Sequence, residues 1–387
     1  MAAALLWLQA CTVSLPEPTT YSALATQAAP VDENQLLDVG IVLFGTVQQE
    51  FTEQELEQRV PEIRLVESHY MPVVLKHTLE ATEQWGQIFV SADNGIQIDL
   101  LLEGTIIESS SHTLRVHMRA VDSTGRVWLD DDYLEYVGGN QFGELTLGVN
   151  DPFQSLYNRV ANDLLAFRQS TISPSDANEI RTLAQIRFGQ EYAPGMLGDY
   201  YSINGEGLAK LERFPALNDP IWPHIQNIQA REQMFHNLMQ DRYQTFAREI
   251  GANYYDYRMT SYRELIELRN RQAEATGDLI RGTLWLGVAV ATADTDSLLG
   301  TATTALSAAT GTQLINQGLT ALDNSTAFID ELAASFGDSA APLAVEFEEE
   351  SIMLTGSAQE QYLQWKDYLQ RLYELESGDD SILEAAQ

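Results

Sequence analysis

At 387 residues the chain is long enough for two or three domains, and its 44% apolar fraction is that of a folded protein. Fifty-six acidic residues against 22 basic ones leave a formal net charge of −34. Such a surface repels phosphate backbones, whose binding rests on Lys and Arg, so nucleic acid is not expected as a partner.

Only Lys76, Lys210 and Lys366 are lysines; the other basic residues are arginines. Arginine is the better bidentate partner for carboxylates, so the arginines are expected mostly in pairs within the protein, with the surplus acid solvated. At the N-terminus a short apolar run ends in Leu8-Gln9-Ala10-Cys11, and Cys11 is the single cysteine. Leu at −3, Ala at −1 and Cys at +1 resemble the lipobox of bacterial lipoproteins. The resemblance implies acylation of Cys11 as the mature N-terminus, and anchoring by several acyl chains that together do not readily leave a bilayer. Gln9 departs from the usual Ala or Ser at −2, and no basic residue precedes the run as a signal peptide requires, so the natural leader is expected to begin upstream of Met1. The competing reading is a frayed apolar terminus with an incidental cysteine. Residues 12–35 are rich in Pro, Thr and Ala without periodicity, and are expected to form a flexible tether.

The first folded unit is expected over 36–138. Leu37 to Phe44 reads as a buried strand, and a helix is predicted from Glu62 to about Gln84, with Val66, Tyr70, Val73, Val74, His77 and Ala81 on one face. Gln87 to Val90 gives a second strand, and a third is expected from Ile96 to Ile107. Leu114 to Val121 alternates apolar and basic residues; Asp122-Ser123-Thr124-Gly125 is a hairpin turn, and Arg126 to Leu129 opens the last strand. The order is β-α-β-β-β-β. With Leu101-Leu102-Glu103-Gly104-Thr105-Ile106 and the phrase from Val121 to Trp128, it resembles the α/β domain of the curli secretion lipoprotein and of penicillin-binding-protein activator lipoproteins. The whole chain is similar to a group of proteobacterial outer-membrane lipoproteins. The resemblance covers about a quarter of the chain through that domain and implies docking at the envelope rather than chemistry.

A helical unit is expected over 150–336. Asp151-Pro152 and Ser173-Pro174 mark helix starts, a Gly- and Tyr-rich loop follows over 194–207, and from Asp219-Pro220 a heptad-like stripe runs from Ile225 to Leu268. Gly251 is expected to divide that stripe into two packed helices. Residues 283–322 are a small-residue tract, read as either a tight bundle core or a self-association surface; its apolar run is too short to span a bilayer. A strand pair and a helix capped by Ser357 are expected over 342–376, then an acidic tail over 377–387. The fold class is therefore α+β, a small mixed-sheet domain followed by a mainly helical bundle and a terminal strand pair with its helix.

No residue is assigned a catalytic, cofactor-binding or metal role. The six histidines, at 69, 77, 112, 117, 224 and 236, are never four apart, and no Gly-x-Ser-x-Gly, phosphate-loop or dinucleotide motif occurs. Asp130-Asp131-Asp132 is the best cation candidate by charge but lacks the spaced ligands of a calcium loop. Two readings remain: a lipid-anchored outer-membrane module that docks an envelope protein or a second copy of itself, and an envelope hydrolase of glycan or peptidoglycan using carboxylates such as Glu179 and Glu191 around the 190–220 segment.

Overall fold

The computed structural model describes residues 16–26, 31–47, 60–142, 151–193, 197–214, 221–286, 342–347 and 350–377. The leader with Cys11, most of the 283–322 tract, the segment up to 336 and the acidic tail beyond 377 lie outside the described residues.

A mixed six-stranded sheet forms the first layer. Strands β1 (Val39–Val42), β3 (Ile88–Ser91) and β4 (Leu100–Ser109) are parallel with β1 in the middle, and β4, β5 (Thr113–Asp122) and β6 (Val127–Tyr136) form an antiparallel meander. The two-residue β2 (Gly45–Thr46) also pairs β4. It resumes the line of β1 after a one-residue slip: Ile41 faces Leu102, whereas Gly45 faces Thr105. The third predicted strand starts late, at Leu100. Ile96 and Ile98 instead pack over the backbone of Gly40, where any side chain would collide with Ile96.

Helix α1 (Val60–Glu80) makes the crossover from β2 to β3 and buries Val66, Tyr70, Val73, Val74 and Leu79. Pro72 sits inside it. Proline has no N–H to give the carbonyl four residues back. The orphaned carbonyl of Ser68 accepts instead from the Phe44 N–H at 3.0 Å, so the helix breaker becomes a tie to the β1–β2 turn. The helix ends at Glu80, four residues before the expected end. The Asp122–Gly125 turn forms as read: Gly125 takes φ of +88°, and the Asp122 carboxylate accepts from Thr124 N, Arg126 N and Trp128 Nε1.

Helices α2 (Gln154–Thr171) and α3 (Pro174–Tyr192) follow. The start of α2 lies three residues after Asp151, whose carboxylate accepts from Phe153 N, while Ser173 and Asp176 form a reciprocal capping box on α3. Where a plain loop is expected after Pro194, a short hairpin of β7 (Tyr201–Ile203) and β8 (Ala209–Leu211) forms.

Helix α4 (Ile221–Leu286) is continuous for 66 residues, about 100 Å at 1.5 Å per residue. Gly251 does not divide it. A helical glycine costs about 1 kcal/mol, and the buried Ala247, Ile250 and Tyr254 around it supply packing that outweighs the cost. At the C-terminal end, β9 (Leu343–Phe347) and β10 (Glu350–Leu354) pair antiparallel, and α5 (Ala358–Ser377), capped by Ser357 and Glu360, lays Tyr362, Trp365 and Leu369 against α4.

One contiguous core runs through the sheet, α1 to α4 and α5. Residues 16–26, expected within a free tether, are instead tied down. Thr19 pairs with Tyr136 at the end of β6, and the backbone of Ser22, Ala23 and Ala25 bonds to Ser155, Asn158 and Asn162 of α2. The other edge, β3, is closed by a side chain: the Gln240 amide donates to Val90 O at 2.9 Å and accepts from Val90 N at 3.0 Å, as a further strand would.

Candidate functional site

Three loop residues enter the parallel strands side by side: Asp38 before β1, Gln87 before β3 and Asp99 before β4. The Asp99 carboxylate accepts the Asp38 N–H at 2.9 Å, and the Asp38 carboxylate accepts the Gln87 N–H at 2.7 Å. Gly86 is required here, because a side chain would come within 2.2 Å of Asp38 Oδ1. Burial pushes the Asp99 carboxyl up to about 7, with repulsion from Asp38 adding to it and the Asp38 N–H and Arg181 opposing. Burial also raises Asp38, offset by the Gln87 N–H and Arg181.

Of these entrances, Asp38 and Gln87 line an open groove of about 570 Å³, within the range of small-ligand clefts. The turn at Glu33–Gln35 and Leu36 form its rim, Trp85 and Gly86 a wall, and Arg181 projects from α3. Across from them α4 presents Gln226, Gln229 and Gln233 around the small Ala230. Two arginines hold the rim in place. Arg181 donates to Asn34 O at 2.7 Å, and Arg168 of α2 donates to Gln35 O at 2.9 Å and to Gln84 O, with its guanidinium 5.3 Å from the Trp85 ring. The Gln226 and Gln229 amides and the Trp85 Nε1 make no hydrogen bond among the described residues.

The residues weighed from sequence lie elsewhere. Asp130 and Asp132 stand on the solvent face of β6, paired with the bases of β5: Arg115 to Asp132 at 2.6 Å, His117 to both acids at 2.9 and 3.2 Å, and Arg119 to Asp130 at 3.9 Å. Among the described residues no group of three or more His, Cys, Asp or Glu is placed to hold a metal. Glu179 accepts from Leu211 N, and Glu191 is paired with Lys366 at 2.6 Å, so these two acids serve different neighbours. Of the histidines, His69 is buried against Leu65 O, and burial lowers its proton affinity. His236 stacks on Phe89 with ring centroids 4.3 Å apart.

Sequence reasoning misses the groove residues, although two signals point to them. In Leu36-Leu37-Asp38-Val39 and Gln97-Ile98-Asp99-Leu100 an acid interrupts an apolar run at the same place, immediately before a buried strand. The glutamines at 226, 229 and 233 recur at helical spacing.

No protein-family model and no curated protein sequence matches the chain. Among solved structures it is similar to a dodecameric point variant of PelC from Paraburkholderia phytofirmans, at 10% identity and a TM-score of 0.19, over 38% of this chain and 95% of that one. A likeness at that score carries no argument about fold or function, which leaves the residues of this chain to supply one.

Proposed function

We propose that the chain is an envelope lipoprotein, held at the outer membrane by acylated Cys11, whose folded body serves as a docking or assembly module for an envelope protein or a second copy of itself. The observation that carries this reading is the Leu8-Gln9-Ala10-Cys11 sequence around the single cysteine. The strap at residues 16–26 adds a geometric consequence. Since the first bond of the strap to the body is at Thr19, eight residue steps separate Cys11 from that tie, a reach of at most about 29 Å at 3.6 Å per residue. The body therefore rides close to the membrane rather than on a long tether. Among the described residues no helix is long and apolar enough to cross a membrane.

Metabolic labelling with a palmitate analogue in a bacterial host tests it. Label is expected on the wild-type chain, and Cys11→Ala is expected to lose label and leave the membrane fraction. A wild-type chain that stays unlabelled and fractionates away from the envelope overturns the reading.

A further inference from the structure

We propose that the groove between the strand entrances and α4 is a binding site for a neutral oligosaccharide. Its polar groups come in complementary kinds. The Gln226 and Gln229 amides each offer both a donor and an acceptor and engage no other described side chain or backbone group. A sugar hydroxyl also donates and accepts, so a row of amides along one helix face matches a row of hydroxyls. Opposite them, Glu33 and Asp38 supply acceptors and the Arg181 guanidinium supplies donors.

Charge selects against the alternatives. An anion would meet two carboxylates and one guanidinium, in a protein of net charge −34. A cation would meet Arg181 on the same wall. An apolar ligand would find little more than Leu36, Ala230 and part of Trp85, and would strand the amides without partners. A neutral polyhydroxylated chain leaves none of these groups unmatched.

The rim is also preorganised. Arg168 and Arg181 hold the Glu33–Gln35 turn through its carbonyls, so binding need not order that turn. The groove is open rather than enclosed, which leaves room for a chain longer than the site.

The test titrates the full chain with chitotetraose and with maltotetraose, followed by calorimetry and tryptophan fluorescence. At least one sugar is expected to saturate the chain one to one in the millimolar range or tighter. Gln229→Ala and Arg181→Gln are each expected to weaken it about tenfold, the scale of one lost hydrogen bond to a polar or charged group. Cys11→Ala is expected to bind like the wild type, which separates this proposal from the anchor. Failure of both sugars to saturate overturns it, as does binding that neither groove variant changes. Saturation by a neutral Gly-Ser-Asn decapeptide, sensitive to both variants while the sugars stay unbound, reassigns the groove to extended peptide and also overturns it.

Discussion

Two polar regions in this molecule contrast in how completely they are satisfied. Around Arg258 of α4 the polar groups are closely paired. Its guanidinium, buried to 1% exposure, reaches Glu67 of α1 at 2.6 Å, Ser109 Oγ at 2.5 Å, the Ser110 carbonyl and the Tyr254 hydroxyl. Glu67 also accepts from Tyr254, Ser109 and, at 2.5 Å, Arg64. At the groove, the amides of Gln226 and Gln229 have no such partners among the described residues. A closed network has used its hydrogen-bonding capacity on the fold and offers none to a ligand. Solvent-facing amides across from a rim held in place keep that capacity for something outside. The buried titratable residues around Arg258 are thus spent on the fold.

The largest expected effect follows from breaking the closed network. Arg258→Ala leaves the Glu67 carboxylate buried with Arg64 as its remaining counter-charge, which costs about 3 kcal/mol, the low end for a broken buried pair, and is read as a lower denaturation midpoint. The double change Arg258→Met with Glu67→Leu removes both charges and is expected to recover most of that loss. If the double variant is no better than the single one, the network is more than a self-satisfied clamp, and the contrast with the groove breaks.

A smaller effect sits at the buried acid beneath the groove's Asp38. Asp99 is raised from 3.8 unfolded to about 7 folded, so between these values the folded state holds more protons than the unfolded one. Stability then falls as pH rises from about 4 to about 7 and is insensitive to this group outside that window. Asp99→Asn keeps an oxygen for the Asp38 N–H and removes the titration. It is expected to flatten that fall by about 1–3 kcal/mol, measured by denaturant melts at pH 4.5 and pH 8. Identical pH dependence in wild type and variant refutes it.

The sheet is legible in sequence because its signals are local: strict alternation in Leu114 to Val121, an Asp-Ser-Thr-Gly turn, and a Ser-Pro start for α3. The continuity of α4 through Gly251 is not, because a glycine's cost is local while the packing that outweighs it comes from other elements. The tied-down strap is hidden for the same reason. Its Pro, Thr and Ser composition is that of a linker, and only the positions of Tyr136, Asn158 and Asn162 in space turn it into a docked segment. The groove is the least legible, since it joins Glu33, Leu36, Asp38, residues 85–87, Arg181 and one face of α4 from Gln226 to Gln233 through topology alone. Cys11, the one site read from sequence, rests on sequence still.

The two smallest predictions use one residue type on one helix to set the regions apart. Gln240 and Gln229 lie on α4 three turns apart, and both are glutamines on the side facing the sheet domain. Gln240 spends both ends of its amide on Val90. Gln240→Ala uncovers an edge-strand N–H and C=O and is expected to cost about 1–2 kcal/mol, with faster amide exchange at Val90. Gln229 spends neither end on the described protein. Gln229→Ala is expected to change stability by less than about 0.5 kcal/mol, the scale of surface substitutions, while weakening sugar binding. The two variants should therefore cross over, one losing stability with binding kept and the other losing binding with stability kept. If Gln229→Ala destabilises as much as Gln240→Ala, its amide is already engaged by the fold, and the distinction between a saturated and an open polar region fails at the residue on which it depends most.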